Sequence, residues 1–274
     1  MLARAAFRWA NRSNSSMTKT NTIDRSWNFN HSATKEATLK PLCERAEAQF
    51  QLPNARLCRY FADSDDPYLI QMHGANFRGF HVPYSACTVL PEYLLHCFFH
   101  PVDFSEDVKF EDTIAFDNLI YIRHCTCADN TGLVTTYAHE LQHVVQRSNT
   151  PRLLAANQVL YHNLKTFEPA TVATDIPSER DANIVSKRVA EIVCGTEAVR
   201  VFAEEQIRLM HGAGEHEQEA RWIFFRDVPS STQYGLLEAT LPLVEKYKKV
   251  LDFEMDVDQP QWWVGPLQKR KASA

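Results

Sequence analysis

The stretch His139-Glu140-Leu141-Gln142-His143 sets two imidazoles four residues apart, with a carboxylate beside the first. On an α-helix, residues four apart share a face, so His139 and His143 can direct two ring nitrogens at one cation. Glu140 projects one step round the helix, too far to join them as a ligand but placed to reach a water bound to that cation. Zinc lowers the pKa of such a water towards about 7, and the carboxylate then takes its proton. The outcome is a nucleophile at neutral pH without a covalent enzyme intermediate. Leu141, Val144 and Val145 give the helix an apolar back, as a buried active-site helix requires. Thr135 and Thr136 can cap its start, and Ser148-Asn149-Thr150-Pro151 supplies a stop. The competing reading is a surface helix that carries two histidines by coincidence.

Catalytic zinc sites use three protein ligands and leave a fourth position for water, so the pair needs a third. After His143 the next histidine is His162, and no glycine occupies 144–162. Glu179 is the leading candidate. Pro177 and Ser178 signal a helix start, and the helix continues with apolar Ile184, Val185, Val189, Ile192 and Val193. Glu179 falls in the first turn, where the helix dipole favours a carboxylate. A plain capping role would use the same position for the same reason. His162, Glu168, Asp175 and Asp181 are the other candidates. For a group that stabilises developing negative charge, Tyr161, His162, Tyr137 and His124 are available, with a slight preference for Tyr161 and His162.

At this point the sequence resembles the gluzincin group of zinc metallopeptidases. HELQH, followed by a helix bearing Glu179-Arg180-Asp181-Ala182-Asn183, is similar to the compact ImmA/IrrE-type peptidases over about 45 residues, from Thr136 to Asn183. The resemblance implies a zincin-like fold and a Zn²⁺ cofactor held by His139, His143 and Glu179. It implies Glu140 as general base and a peptide or protein as substrate. It also implies that Asn183, one turn beyond Glu179, holds a ligand histidine by a hydrogen bond. In such folds an edge strand precedes the active-site helix and binds substrate backbone by strand addition. Asp117–His124 occupies that place in order, although an ordinary core strand fits its residues equally well.

The elements that must position these residues read as α+β: a small N-terminal sheet followed by a mainly helical half that carries the HExxH helix. Residues 1–35 read as a disordered or targeting-like extension outside the fold. Residues 36–257 read as one domain, sheet-rich over 55–124 and helical over 131–252, and 258–274 as a tail. Thr38–Gln51 has a helical start, with Thr38 as N-cap and Pro41 in the first turn. Arg56–Ala62 and Tyr68–His73 have strand composition, and Asp63-Ser64-Asp65-Asp66-Pro67 between them is turn-rich. Phe77–Pro101 has no clear phase. Helical spacing covers Arg152–Phe167 and Thr196–His211. Glu215–Glu219 reads as a solvated acidic turn, and Trp262-Trp263 as an anchor of the terminal segment.

With 274 residues, 45% of them hydrophobic and 11% aromatic, the chain has ample material for a buried core. No apolar run approaches the length of a membrane-spanning helix. The net charge of −5 is uneven: both ends are basic and the body between them is strongly acidic, which would repel a phosphate backbone. No nucleic-acid partner is expected. The 7 cysteines are irregularly spaced and read as reduced thiols; Cys125-Thr126-Cys127 has too short a spacing for the usual zinc knuckle and reads as a strand end. An intracellular, cytoplasmic location is expected. Arg4, Arg8 and Arg12, set among Leu2, Ala3, Phe7 and Trp9, raise an organelle-targeting peptide as the alternative. The function expected is zinc-dependent peptide hydrolysis; the alternative is a non-catalytic binding or regulatory protein with a structural or vestigial zinc site.

Overall fold

The computed structural model describes residues 25–29, 33–52, 57–83, 118–167 and 173–251. In chain order these form β1 (Arg25–Phe29), α1 (Ala33–Glu47), β2 (Leu57–Phe61), α2 (Pro67–His73), β3 (Gly79–Pro83) and β4 (Asn118–Ile122). A 3-10 turn (His124–Ala128) leads into α3 (Asn130–Asn149), α4 (Pro151–Phe167), α5 (Pro177–Cys194), α6 (Thr196–Ala213), α7 (His216–Asp227) and α8 (Leu236–Leu251). The class is α+β: a small sheet whose strands are interleaved with α1 and α2, followed by a helical half.

The sheet order is β1-β2-β4-β3. The first three strands run parallel, and β3 lies antiparallel to β4. This corrects the reading of Asp117–His124 as a substrate-binding edge. Every residue of β4 is buried, and the strand is paired on both sides, so its backbone has no free edge to offer. Leu119, Ile120 and Ile122 fail to alternate because both faces of the strand are covered. Among the described residues the strand with an unpaired outer edge on this side is β3.

Register sorts the side chains. Leu57, Arg59, Phe61, Ile120, Ile122, Gly79 and His81 share the face turned towards α3. Tyr60, Tyr121 and Phe80 stack on the opposite face, with ring centroids 5.6 and 5.0 Å apart. Gly79 is the point of closest approach between sheet and helix: a Cβ there would stand 2.8 Å from the Tyr121 carbonyl oxygen and 2.9 Å from Thr136 Cγ2. Arg59 is fully buried beneath α3, where Nε donates to Glu47 Oε1 at 2.5 Å and meets the Tyr137 hydroxyl at 2.6 Å. Tyr137 in turn donates to Glu47. One buried ion pair thus ties α1, β2 and α3 together.

The main core joins Leu39 and Cys43 of α1, Phe61 and Ile122 of the sheet, Leu133, Tyr137, Leu141 and Val144 of α3, Val189 of α5, Phe202 of α6 and Trp222 of α7. A second cluster joins Leu153, Leu160 and Leu164 of α4 to Val244 and Tyr247 of α8. No described helix is long and apolar enough to cross a membrane.

Four sequence expectations are displaced. Arg25–Phe29, set aside with the N-terminal extension, forms β1; its basic flanks hide a strand whose support is pairing with β2. The first helix starts at Ala33 and holds Pro41 inside it, because Leu39, Cys43 and Ala46 bury against the core on both sides of the proline. Tyr68–His73 is helical: the Asp66 side chain caps Leu69 N at 2.9 Å and Pro67 takes the first turn, a start signal that outweighs strand composition. The motif helix starts at Asn130, because Asp129 accepts from Thr131 N and Gly132 N; Thr135 and Thr136 lie inside it. Glu215–Glu219 lies at the start of α7, Cys125–Cys127 in the 3-10 turn, and Trp262-Trp263 outside the described residues. The described cysteines are free thiols.

Candidate metal centre

The face of α3 opposite Tyr137 and Leu141 carries Thr136, His139, Glu140 and His143, a spacing of three and four residues that lines one wall of a cavity of about 690 Å³. The main core clamps this helix, and both histidines and Glu140 are buried. Helix α5 lies against it and delivers Glu179. Its first turn is pinned from two sides: Ser178 N donates to Asn157 Oδ1 of α4 at 3.0 Å, and the Ser178 carbonyl accepts from Gln146 Nε2 at 3.0 Å. The helix inserted between motif and ligand, α4, therefore holds the third group in place.

Four atoms of three side chains converge. His139 Nε2 and His143 Nε2 are 3.2 Å apart, and they stand 3.3 Å from Glu179 Oε2 and Oε1 respectively. Among the described residues, His139, His143 and Glu179 are a group able to hold a metal ion. The structure thus brings together the three expected ligands. Asp181, the neighbouring alternative, accepts from Gln142 Nε2 and Gln146 Nε2, each at 2.7 Å. Asp175 is exposed in a 3-10 turn, while Glu168 and the His162 side chain fall outside the described residues.

The electrostatics follow from burial and mutual contact. Burial alone would push the His143 ring down, but the Glu179 and Glu140 carboxylates hold it up at about 9. Burial pushes His139 down to about 4, against the opposing hydrogen bond to the Glu179 carboxylate. Burial would raise Glu179, and the two rings hold it well below the usual carboxylate range. Glu140 is pushed up to about 7 by burial, tempered by His143, by Arg221 and by a hydrogen bond from the His81 backbone N–H. That N–H belongs to β3, so the sheet edge and the carboxylate meet over the triad.

Behind the ligands, Gln146 Oε1 lies 2.9 Å from His143 Nδ1. Asn183, expected to hold a ligand histidine, does not: its amide donates to the Glu179 carbonyl at 2.8 Å, and its oxygen accepts from Arg221 Nε at 3.4 Å. One turn of separation on α5 returns that side chain to its own helix, and the histidine partner comes instead from α3. Tyr161 lines the cavity. His124 pairs with Asp65 at the surface, and Tyr137 is spent in the core, so neither reaches the triad. Sequence reasoning missed Gln146, although it sits three residues from His143 and seven from His139 on one face. It also missed Arg78 and Arg221, which line the cavity and have no spacing signal.

No family model, curated protein or solved structure matches the chain.

Proposed function

We propose that this protein is a zinc-dependent peptidase of zincin-like architecture, with His139, His143 and Glu179 as ligands and Glu140 as general base. The observation that carries the reading is the convergence of the His139, His143 and Glu179 side chains. Ligand atoms about 2.0–2.1 Å from a tetrahedral zinc lie about 3.3 Å from one another; here the two Nε2 atoms are 3.2 Å apart, and each lies 3.3 Å from one of the two Glu179 carboxylate oxygens. Two neutral imidazoles and a carboxylate are also the donor set that zinc hydrolases use. A zinc ion bound there supplies Lewis acidity and a water acidic enough to ionise near neutral pH.

The chain's own residues do the rest. Glu140 is buried and raised to about 7, so its carboxylate can accept a proton from the attacking water and return it to the leaving amine near neutral pH. The outer edge of β3 offers backbone groups to an extended peptide, and Arg78 to His81 line the cavity beside Glu140. Tyr161, at the cavity wall, is a donor for the developing oxyanion.

Elemental analysis of the purified chain, followed by turnover of a peptide library, tests this. One zinc per chain is expected, together with a loss of about 10²–10⁴-fold in hydrolysis for Glu140→Gln at unchanged zinc content. Full hydrolysis by Glu140→Gln, or a chain that takes up no zinc, overturns it.

A further inference from the structure

The cavity wall carries three arginines, and none of them forms an ion pair with the glutamates of that wall. Arg123 is answered by Asp65, at 2.5 and 2.8 Å. Arg78 and Arg221 line the same cavity, and neither has a carboxylate within ion-pair distance among the described residues. Glu179 is committed to two histidines and Glu140 meets the His81 N–H. Glu215, at the exposed rim, makes no ion pair with either arginine. Asp129 acts on Arg78 electrostatically but uses both carboxylate oxygens to cap α3.

The Arg78 guanidinium is held in a fixed pose. Arg78 lies over the Phe202 and Trp222 rings, 5.2 and 5.9 Å from their centroids, and Nη1 donates to Gln206 Oε1 at 3.0 Å. Its Nε is buried with no hydrogen-bond partner among the described residues. Gly132 makes room for this pose: a Cβ there would come within 2.3 Å of Arg78 Nη2. Arg221 rests on Asn183 Oδ1, one turn from Glu179, and acts electrostatically on Arg78, His139 and Glu140. Two like charges that line one cavity and act on each other are relieved by an anion bound between them, and the planar fork of each matches a carboxylate.

We infer that Arg78 and Arg221 form a carboxylate-recognition subsite beside the triad, so that the protein takes peptides carrying an anionic group next to the bond at the metal centre. The inference rests on the peptidase reading for its meaning, though not for its binding chemistry. The shared chemistry is a carboxylate, supplied either by a free peptide C-terminus or by an acidic side chain.

Calorimetric titration of the full chain with three blocked probes tests it, with and without a chelator: acetyl-Ala-Ala-Phe with a free C-terminus, acetyl-Ala-Glu-Ala-amide and acetyl-Ala-Gln-Ala-amide. At least one of the two carboxylate probes is expected to bind about tenfold or more tighter than the neutral one. Arg221→Gln and Arg78→Gln should each remove that preference. Which carboxylate probe wins decides between terminal and side-chain recognition. Equal binding of all three probes overturns the subsite, as does no binding at all or a preference that survives both substitutions. Because Arg78 is packed on two aromatic rings, Arg221→Gln carries the test alone if a thermal melt shows Arg78→Gln to be unfolded. Arginine-dependent binding that persists in a chain taking up no zinc would sink the peptidase reading and keep the subsite. Zinc-dependent hydrolysis without carboxylate preference would do the reverse.

Discussion

Gln146 Oε1 stands 2.9 Å from His143 Nδ1, and the same amide is fixed through its nitrogen by the Ser178 carbonyl and the Asp181 carboxylate. An amide oxygen can only accept, so Nδ1 keeps a proton, and Nε2 is the nitrogen that gives up its own proton when the ring takes a metal. Gln146→Leu keeps the bulk and removes both functions. Zinc affinity is expected to fall about 10–100-fold, read by competition with a chromophoric chelator. Unchanged affinity would mean that the ring is oriented by packing alone.

Removal of the metal should cost binding and activity without unfolding the chain. The two apolar clusters contain none of the three ligands, so the core is complete without them. A structural zinc site, by contrast, contributes folding free energy outright. Circular dichroism after exhaustive chelation is expected to retain the helical signal. Glu179→Ala should behave like the chelated protein, losing stoichiometric zinc while staying folded. Collapse of the helical signal on chelation would favour the binding or regulatory alternative.

The parts of this arrangement that the sequence makes legible are those set by spacing within one helix. His139, Glu140 and His143 follow from a four-residue step, and Glu179 from a helix start marked by Pro177. What it conceals depends on partners distant in the chain. Arg25–Phe29 is a strand only because β2 accepts it, and Asn118–Ile122 is central only because strands flank it on both sides. The edge role passes to Gly79–Pro83, a segment with no periodic signal. Asn183 and Tyr137 carry the right polar groups, but their partners lie within their own helix, on Arg221 and in the core. Composition shows that a group can donate; it does not show which way the fold has spent it.

The Glu47–Arg59–Tyr137 cluster separates stability from chemistry. Glu47→Ala leaves the fully buried Arg59 guanidinium uncompensated, and removing one member of a buried pair costs about 3–5 kcal/mol. Tyr137→Phe removes one buried hydroxyl and should cost about 1–2 kcal/mol. Urea unfolding measures both losses. Zinc content and turnover of Tyr137→Phe should match the parent protein, because the hydroxyl faces Glu47 and not the cavity. A large drop in turnover at full zinc content would return Tyr137 to the site.

His81 gives the metal-free protein a pH dependence of definite sign. Burial pushes its ring down to about 3, aided by His143 and Arg147 and opposed by the hydrogen bond to Asn118 Oδ1 at 2.7 Å. In the unfolded chain a histidine titrates near 6.5. Between those values the unfolded chain binds the proton and the folded protein does not, so stability rises with pH across that window. The contribution is fully present above about pH 6.5 and is lost progressively as pH falls towards 3. His139 adds to this trend, the raised Glu140 opposes it within the same window and up to about pH 7, and the raised His143 acts in the opposite direction from about pH 6.5 to 9. His81→Phe isolates the term: in urea titrations with chelator present, its unfolding midpoint should fall less steeply than the parent's between pH 6.5 and 4. Parallel curves for the two proteins would mean that the His81 ring protonates as freely in the folded protein as in the unfolded chain.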